Sequence, residues 1–254
     1  MVSFLIAGAQ KCGTSALDTY LRQHPQIEMA RGLKELHFFD NESLDWSAPD
    51  YRALHRFYDP ESDRLRGEAT PITVYWSPCH ERVFRYNPGM KLILIFRDPA
   101  LRAFSHWRKE YTRNMEPLEF SAAIREGRQR IAQEGETPGP FTRLFSYVER
   151  GLYAAQIRNL QTRFPRENLL FLKSDDLRNR RSETLDRVCA FLGAAPFERE
   201  VPQAIVNPGR PLRGPVEITP ADWALLADAY REDLTAFQGM TGLDISDWPI
   251  CASL

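Results

Sequence analysis

Four cysteines are scattered along this 254-residue chain, at Cys12, Cys79, Cys189 and Cys251, with no Cys-x-x-Cys pair and no dense spacing. That excludes a disulfide framework and a cysteine-held zinc site, and it makes a reducing cytoplasm the simplest expected compartment. No run comes near the roughly eighteen apolar residues of a membrane span. The short apolar run at 4–7 leads straight into a loop, which is not the layout of a signal peptide. Neither sign of charge dominates: 33 Lys and Arg stand against 34 Asp and Glu, for a formal net charge of −1. A near-neutral balance argues against general nucleic-acid binding. The basic clusters Arg178-Asn-Arg180-Arg181 and Arg125 to Arg130 read as solvated helix faces. Metal-ligand clusters, internal repeats and low-complexity tracts are missing as well, so no metal is expected. What remains is a chain long enough for one substantial core, read as a single domain over 1–254.

Strand and helix signals alternate along that chain. Buried-strand runs lie at 3–7, 91–96 and 168–173, with a weaker one near 65–69. Helical periods fall at 14–23, 79–86, 100–112, 151–163, 182–192 and 220–237. The stretches 134–141 and 206–215 are rich in Pro and Gly and read as loops long enough to cover a site. Alternation with continuous apolar strands predicts a three-layer α/β fold: a mostly parallel central sheet with helices on both faces. Ligands in such sheets bind outside the carboxyl ends of the strands.

The richest segment is the first. Phe4-Leu-Ile-Ala-Gly8 runs into Ala-Gln-Lys11-Cys12-Gly13-Thr14-Ser15-Ala16, where a helix begins. Backbone N–H groups at a helix start point at an anion, and the helix dipole adds partial positive charge there. Lys11 adds a full charge, and Thr14 and Ser15 add hydroxyl donors. Gly8 and Gly13 have the spacing of a nucleoside-triphosphate loop, but Lys11 stands two residues before Gly13 instead of directly after it. Cys12 reads as a small residue in a tight loop; a reactive thiol, its pKa lowered by the helix start, is the other reading.

A second segment ends a buried strand in Arg97, followed by Asp98, Pro99 and, along a helix, Arg102 and Ser105. Arg97 and Ser105 converge on one anion in one reading; in the other, Arg97 pairs with a carboxylate such as Asp98. With an independent anion loop on another strand, two anion sites are the better account. Two such sites suit a nucleotide with phosphates at both ends of its ribose.

The chain resembles the sulfotransferases that use 3′-phosphoadenosine 5′-phosphosulfate (PAPS), over about residues 2–195. Gly8-Ala-Gln-Lys11-Cys12-Gly13-Thr14-Ser15 is similar to their 5′-phosphosulfate loop, and Arg97-Asp-Pro-x-x-Arg102-x-x-Ser105 to their 3′-phosphate motif. Lys34-Glu35-Leu-His37-Phe38-Phe39-Asp40 resembles the segment carrying the catalytic base in the heparan-sulfate-type branch. The resemblance implies that Lys11, Cys12, Gly13, Thr14, Ser15 and Ala16 hold the 5′-phosphosulfate and that Arg97 and Ser105 hold the 3′-phosphate. It further implies that Glu35 takes the acceptor proton and Lys11 faces the departing oxygen. Sulfuryl transfer is an in-line displacement needing an oriented nucleophile, a base and stabilised leaving charge. The product nucleotide would be adenosine 3′,5′-bisphosphate (PAP).

His37, two residues from Glu35 and with an ordinary pKa near neutrality, is read as a positioning group, with the base role as the other reading. In the resembled branch, a strand ends Glu-Lys-[Ser/Thr]-Pro; here Glu68-Ala69-Thr70-Pro71 puts Ala69 at the Lys position, so a second cation comes from elsewhere, with Lys34 and Arg102 as candidates. Arg210 and Arg213 are candidates for a loop closing over the nucleotide, or are solvated loop charges. Trp46, Tyr51, Phe57, Tyr75 and Trp76 read mostly as core, although they could line an acceptor cleft. The expected acceptor is a hydroxyl or amine of a saccharide or small molecule, and a long polyanion is disfavoured because no basic track is visible. A P-loop kinase or NTPase and a non-catalytic nucleotide-binding relative are the competing readings.

Overall fold

A computed structural model describes residues 1–135, 139–204, 211, 212, 214 and 216–254. Its strands are β1 (Phe4–Gly8), β2 (Ile27–Met29), β3 (Leu65–Glu68), β4 (Lys91–Phe96) and β5 (Leu169–Lys173). Its α-helices are α1 (Thr14–Leu21), α2 (Arg52–His55), α3 (Pro78–Tyr86), α4 (Pro99–Tyr111), α5 (Phe120–Ala132), α6 (Pro140–Phe145), α7 (Tyr153–Gln161), α8 (Ser174–Asn179), α9 (Arg181–Leu192) and α10 (Pro220–Thr241). The chain divides into two compact units, one of Met1–Phe96 with Gln156–Asn207 and one of Arg97–Ala155 with Pro208–Leu254. The divisions fall directly after β4 and within α7.

The first unit holds the sheet. Its order is β2-β3-β1-β4-β5, and every pairing is parallel. Residues Leu92 to Phe96 of β4 are all buried. A strand covered on both faces has no solvent side, so its sequence runs apolar without alternation. Helix α1 packs on β1 and β2, and α8 and α9 pack on β5. All five carboxyl ends lie at one edge of the sheet: β1 delivers the loop after Gly8 there, and β3 delivers Glu68, Ala69 and Thr70.

The second unit is helical. Helix α4 packs on α5 and α10, and α5 packs on α6. Its core joins Trp107 and Phe120, and Tyr153, Phe237 and Trp248. Asp98 starts α4 by accepting from the Leu101 amide, while its other oxygen accepts from the Ile250 amide. Thr219 and Asp222 form a reciprocal capping box at the start of α10.

The α/β class and parallel sheet agree with the sequence reading, as do four of the strands. Two corrections apply. The loop expected over 134–141 is broken by α6, which begins at Pro140 because Glu134 accepts from the amides of Gly139, Phe141 and Thr142 and so caps the helix. Helix α5 is absent from the expected helical periods, and of its basic cluster Arg125 and Arg128 are exposed, whereas Arg130 turns inward to pair with buried Glu116 at 2.8 Å and to cover the Phe145 ring. Arg210 and Arg213 lie outside the described residues.

Candidate active site

The loop between β1 and α1 is shaped by two close requirements. A Cβ at Gly8 would meet Val74 Cγ1 at 2.3 Å, so only glycine fits where the segment after β3 crosses the strand end. Gly13 has φ 98°, in the left-handed region, and no side chain caps α1. A helix start without a side-chain cap leaves its amide end and positive dipole directed at whatever anion arrives. Lys11 is half-buried, with φ 71°. Three described non-glycine residues have a left-handed φ: Lys11, His37 and Asn114. Asparagine and histidine are among the residues that tolerate that region, whereas Lys11 is held there against its preference, as residues at functional sites often are.

Beside this loop runs a row of charged side chains from the segment after β2. Lys34 Nζ donates to Thr14 Oγ1 at 3.3 Å and to Glu35 Oε1 at 2.9 Å. His37 Nε2 lies 3.4 Å from the other Glu35 oxygen, and His37 Nδ1 is 2.9 Å from Asp40 Oδ2. Positive and negative groups thus alternate: Lys34, Glu35, His37, Asp40. Asp40 is the buried anchor, 1% exposed, while Glu35 and His37 are 43% and 49% exposed. Phe38 and Phe39 are buried and hold the segment down, so the row is rooted at its Asp40 end and open to solvent in its middle.

The charges set the protonation states. Burial alone would push the Glu35 carboxyl up, but the hydrogen bond from His37, together with the charge and hydrogen bond of Lys34, outweighs it and holds the group down at about 2. Hydrogen bonds to Asp40 and then to Glu35 raise His37 to about 9. At neutral pH, Glu35 is therefore the ionised carboxylate of the row and His37 a cation.

Thr70 ties the row to the sheet. Its hydroxyl accepts from the His37 amide at 3.4 Å and donates to Glu68 Oε2 at 2.8 Å. Glu68 is buried, and burial, the largest influence on it, raises its carboxyl to about 8. Ala69 is fully buried and supplies no charge.

In the helical unit, Arg97 and Ser105 are half-buried on either side of the first turns of α4. The Arg97 carbonyl accepts from Tyr153 Oη at 3.0 Å. Both Asp98 oxygens accept backbone amides, so this carboxylate is committed to starting α4 and anchoring Ile250. Arg102 is 0% exposed, with one Nη on the carbonyl of Tyr147 and with Nε and the other Nη lacking a hydrogen-bond partner. Of the two candidate second cations, Lys34 reaches the loop, and Arg102 is a buried cap on a carbonyl.

The structure thus brings Lys34, Glu35 and His37 together beside Thr14. Cys12 is buried, with its Sγ facing the Gln10 carbonyl at 3.7 Å, and Ser15 and Ala16 lie half-buried in the first turn of α1. Sequence reasoning passed over Asp40, Thr70 and Glu68 as partners of His37. The i,i+3 spacing of His37 and Asp40 was the available signal for the first; Glu68 and Thr70 reach the row only through the sheet. Of the five aromatic residues expected mostly in the core, Trp76 is buried, whereas Trp46, Tyr51, Phe57 and Tyr75 are half-buried. Trp76 is buried, with Nε1 on Glu42 at 2.6 Å, and Trp46 stacks on Phe39 beneath the Arg82 guanidinium. Among the described residues, no group of acidic, histidine or cysteine side chains could hold a metal, and no helix is long and apolar enough to cross a membrane.

The chain is similar to known proteins. The chain is 32% identical over 194 residues to the mouse protein named heparan sulfate glucosamine 3-O-sulfotransferase 6, covering 74% of this chain and 51% of that one. Human heparan sulfate glucosamine 3-O-sulfotransferase 3B1 is 29% identical over 190 residues, covering 74% and 45%. The chain therefore spans about half the length of these curated relatives. A crystal structure of a sulfotransferase from Alicyclobacillus acidocaldarius superposes with a TM-score of 0.81 at 26% identity, over 98% of each chain. The sulfotransferase domain matches residues 2–208, a span that contains the loop, the charged row and the start of α4, and by that match the chain belongs to the sulfotransferase family.

Proposed function

We propose that this protein transfers a sulfuryl group from PAPS to a hydroxyl, or an amine, of a saccharide or small-molecule acceptor. One observation supports this reading above the others: a charged row containing an ionised carboxylate, Glu35, is hydrogen-bonded through Lys34 to the first residue of the uncapped helix behind the anion loop. A base held one side chain away from an anion seat is what an in-line transfer onto a hydroxyl needs.

The loop residues Lys11, Cys12, Gly13, Thr14, Ser15 and Ala16 take the 5′ end of the nucleotide. By their place in the motif, Arg97 and Ser105 take the 3′-phosphate. In the transfer, the sulfur–oxygen bond to the nucleotide phosphate breaks as the bond to the acceptor oxygen forms. Glu35 accepts the acceptor proton, and Lys11 balances the charge left on the departing oxygen. His37, already protonated at neutral pH, is poorly suited to take a proton; it orients Glu35 and is itself held by Asp40. The names of the curated relatives favour a saccharide acceptor.

A nucleotide kinase or NTPase is the competing reading, and the place of Lys11, two residues before Gly13, speaks against it. The test is thermal stabilisation. PAP is expected to raise the melting temperature, and ATP with magnesium is not; the opposite pattern would sink the proposal. Incubation with PAPS and a panel of saccharide and small hydroxyl acceptors, read by mass spectrometry, then identifies the acceptor class.

A further inference from the structure

The position of Lys34 carries an inference that rests on the sulfotransferase reading. Its ammonium sits 2.9 Å from Glu35 Oε1 and 3.3 Å from Thr14 Oγ1, so one cation touches both the base and the helix start that receives the anion. An ammonium has three donors, and it stands on a flexible four-carbon stem. Thr14, by contrast, is buried and fixed as the first residue of α1. A hydroxyl that accepts from Lys34 still has its own proton to give, so an anion bonded to Thr14 is a near neighbour of Lys34. Ala69, just past the end of β3, is buried and brings no competing cation to this edge.

Two anions therefore contend for Lys34. One is the Glu35 carboxylate, which is 43% exposed and keeps His37 as a second cationic partner when Lys34 leaves. The other is the donor's phosphosulfate, seated at a helix dipole beside Lys11. We infer that Lys34 is a shared cation that pairs with Glu35 until the donor arrives and then moves to the phosphosulfate, so that donor binding itself releases the base. Lys34 is one of the two charges that hold Glu35 down, so losing it strengthens Glu35 as a proton acceptor when an acceptor can be sulfated. Before that, the base is masked.

The inference predicts a thermodynamic cycle that needs no turnover. Calorimetry measures the affinity of PAP for the wild-type protein, Glu35→Gln, Lys34→Met and the double variant. Glu35→Gln frees Lys34 from its competitor, and PAP is expected to bind about five-fold tighter or more. In the Lys34→Met background, the same Glu35→Gln change is expected to leave the affinity within about two-fold. Lys34→Arg keeps the charge and is expected to retain the gain, and circular dichroism checks that each variant is folded. An equal gain with and without Lys34 would mean that the carboxylate simply repels the nucleotide, and it would overturn the inference alone, as would no gain at all. A wild-type protein that binds no PAP would overturn the sulfotransferase reading and this inference with it.

Discussion

The two units each place charged groups at or beneath the surface, and they do it in opposite ways. In the sheet-bearing unit, Lys34, Glu35, His37 and Asp40 alternate in charge, and each has an oppositely charged neighbour within 3.4 Å. The middle of the row is open to solvent. In the helical unit, Arg102 is fully buried with a neutral carbonyl for a partner and two guanidinium nitrogens unbonded. Burying a charge without a counter-ion is expensive, and evolution tolerates it where the long side chain packs and caps. A paired, half-open row is suited to exchange a partner for a ligand. A sealed guanidinium is suited to hold two pieces of backbone together. The difference sets a row proposed for chemistry against a side chain placed for architecture.

The largest expected effect breaks the row at its base. Glu35→Ala removes the proposed proton acceptor, and general-base catalysis of this kind contributes about 10²- to 10⁴-fold. Turnover with PAPS is expected to fall by that factor, while the affinity for PAP does not fall. Sulfated product formed at the wild-type rate would remove Glu35 as the base.

Arg102→Ala tests the other half of the comparison. Loss of the packed stem and of the bond to Tyr147 is expected to lower unfolding free energy by about 2–4 kcal/mol. The turnover of the protein that remains folded is expected to change little. A variant of wild-type stability with collapsed turnover would show that Arg102 acts in the chemistry and that the contrast drawn between the units is wrong.

How much of this was readable in advance differs in the same way. β1, β4 and β5 announced themselves because strands buried on both faces are continuously apolar. β2 did not, because its middle residue is Glu28, a buried carboxylate made tolerable by Arg31 and the Asp59 amide. Helix α5 turns Ala123 and Gly127 inward with Phe120 and Ile124, and such small residues give a weak apolar signal. A Cβ at Gly127 would lie 2.7 Å from the Phe145 carbonyl, so the small residue is there to let α5 and the end of α6 approach. In the site, Lys11 was legible from type and spacing, Glu35 through the resemblance of the segment from Lys34 to Asp40, and His37 from its spacing to Glu35. That Lys34 touches Thr14, and that Glu68 lies beneath His37 through Thr70, depends on the packing of distant segments, which no local pattern encodes.

Glu68 sharpens the contrast from within the first unit, since it is a buried acid bonded to a hydroxyl. Its carboxyl titrates near 4.5 when unfolded and near 8 when folded. Between those values, the native state holds a proton that the unfolded state has released, so stability falls as pH rises. Glu68→Gln mimics the protonated acid. It is expected to flatten that fall and to stabilise the protein at pH 8 by about 2 kcal/mol or more, measured by denaturant unfolding across pH. Equal slopes in the two proteins would mean that Glu68 is already ionised.

The smallest effect isolates His37, whose raised value of about 9 gives it a window that overlaps with Glu68 and then extends beyond it. Below about pH 6.5, both folded and unfolded states bind the proton, and the full contribution of the Asp40 and Glu35 contacts is present. As pH rises toward 9, the unfolded state loses the proton first, and that contribution is withdrawn. Glu68 still titrates between pH 8 and 9, so Glu68→Gln is the background that removes it, and Cys189, pushed up by burial to about 11, adds its own fall only above pH 9. A fall in melting temperature between about pH 6.5 and 9, present in Glu68→Gln and absent in the Glu68→Gln/His37→Gln double variant, assigns it to the row. Because His37 is half-exposed, water screens its contacts and the shift is expected to be modest. An unchanged interval in the double variant would mean that His37 is not a cation at neutral pH, and the case for Glu35 over His37 as the base would lose its electrostatic support.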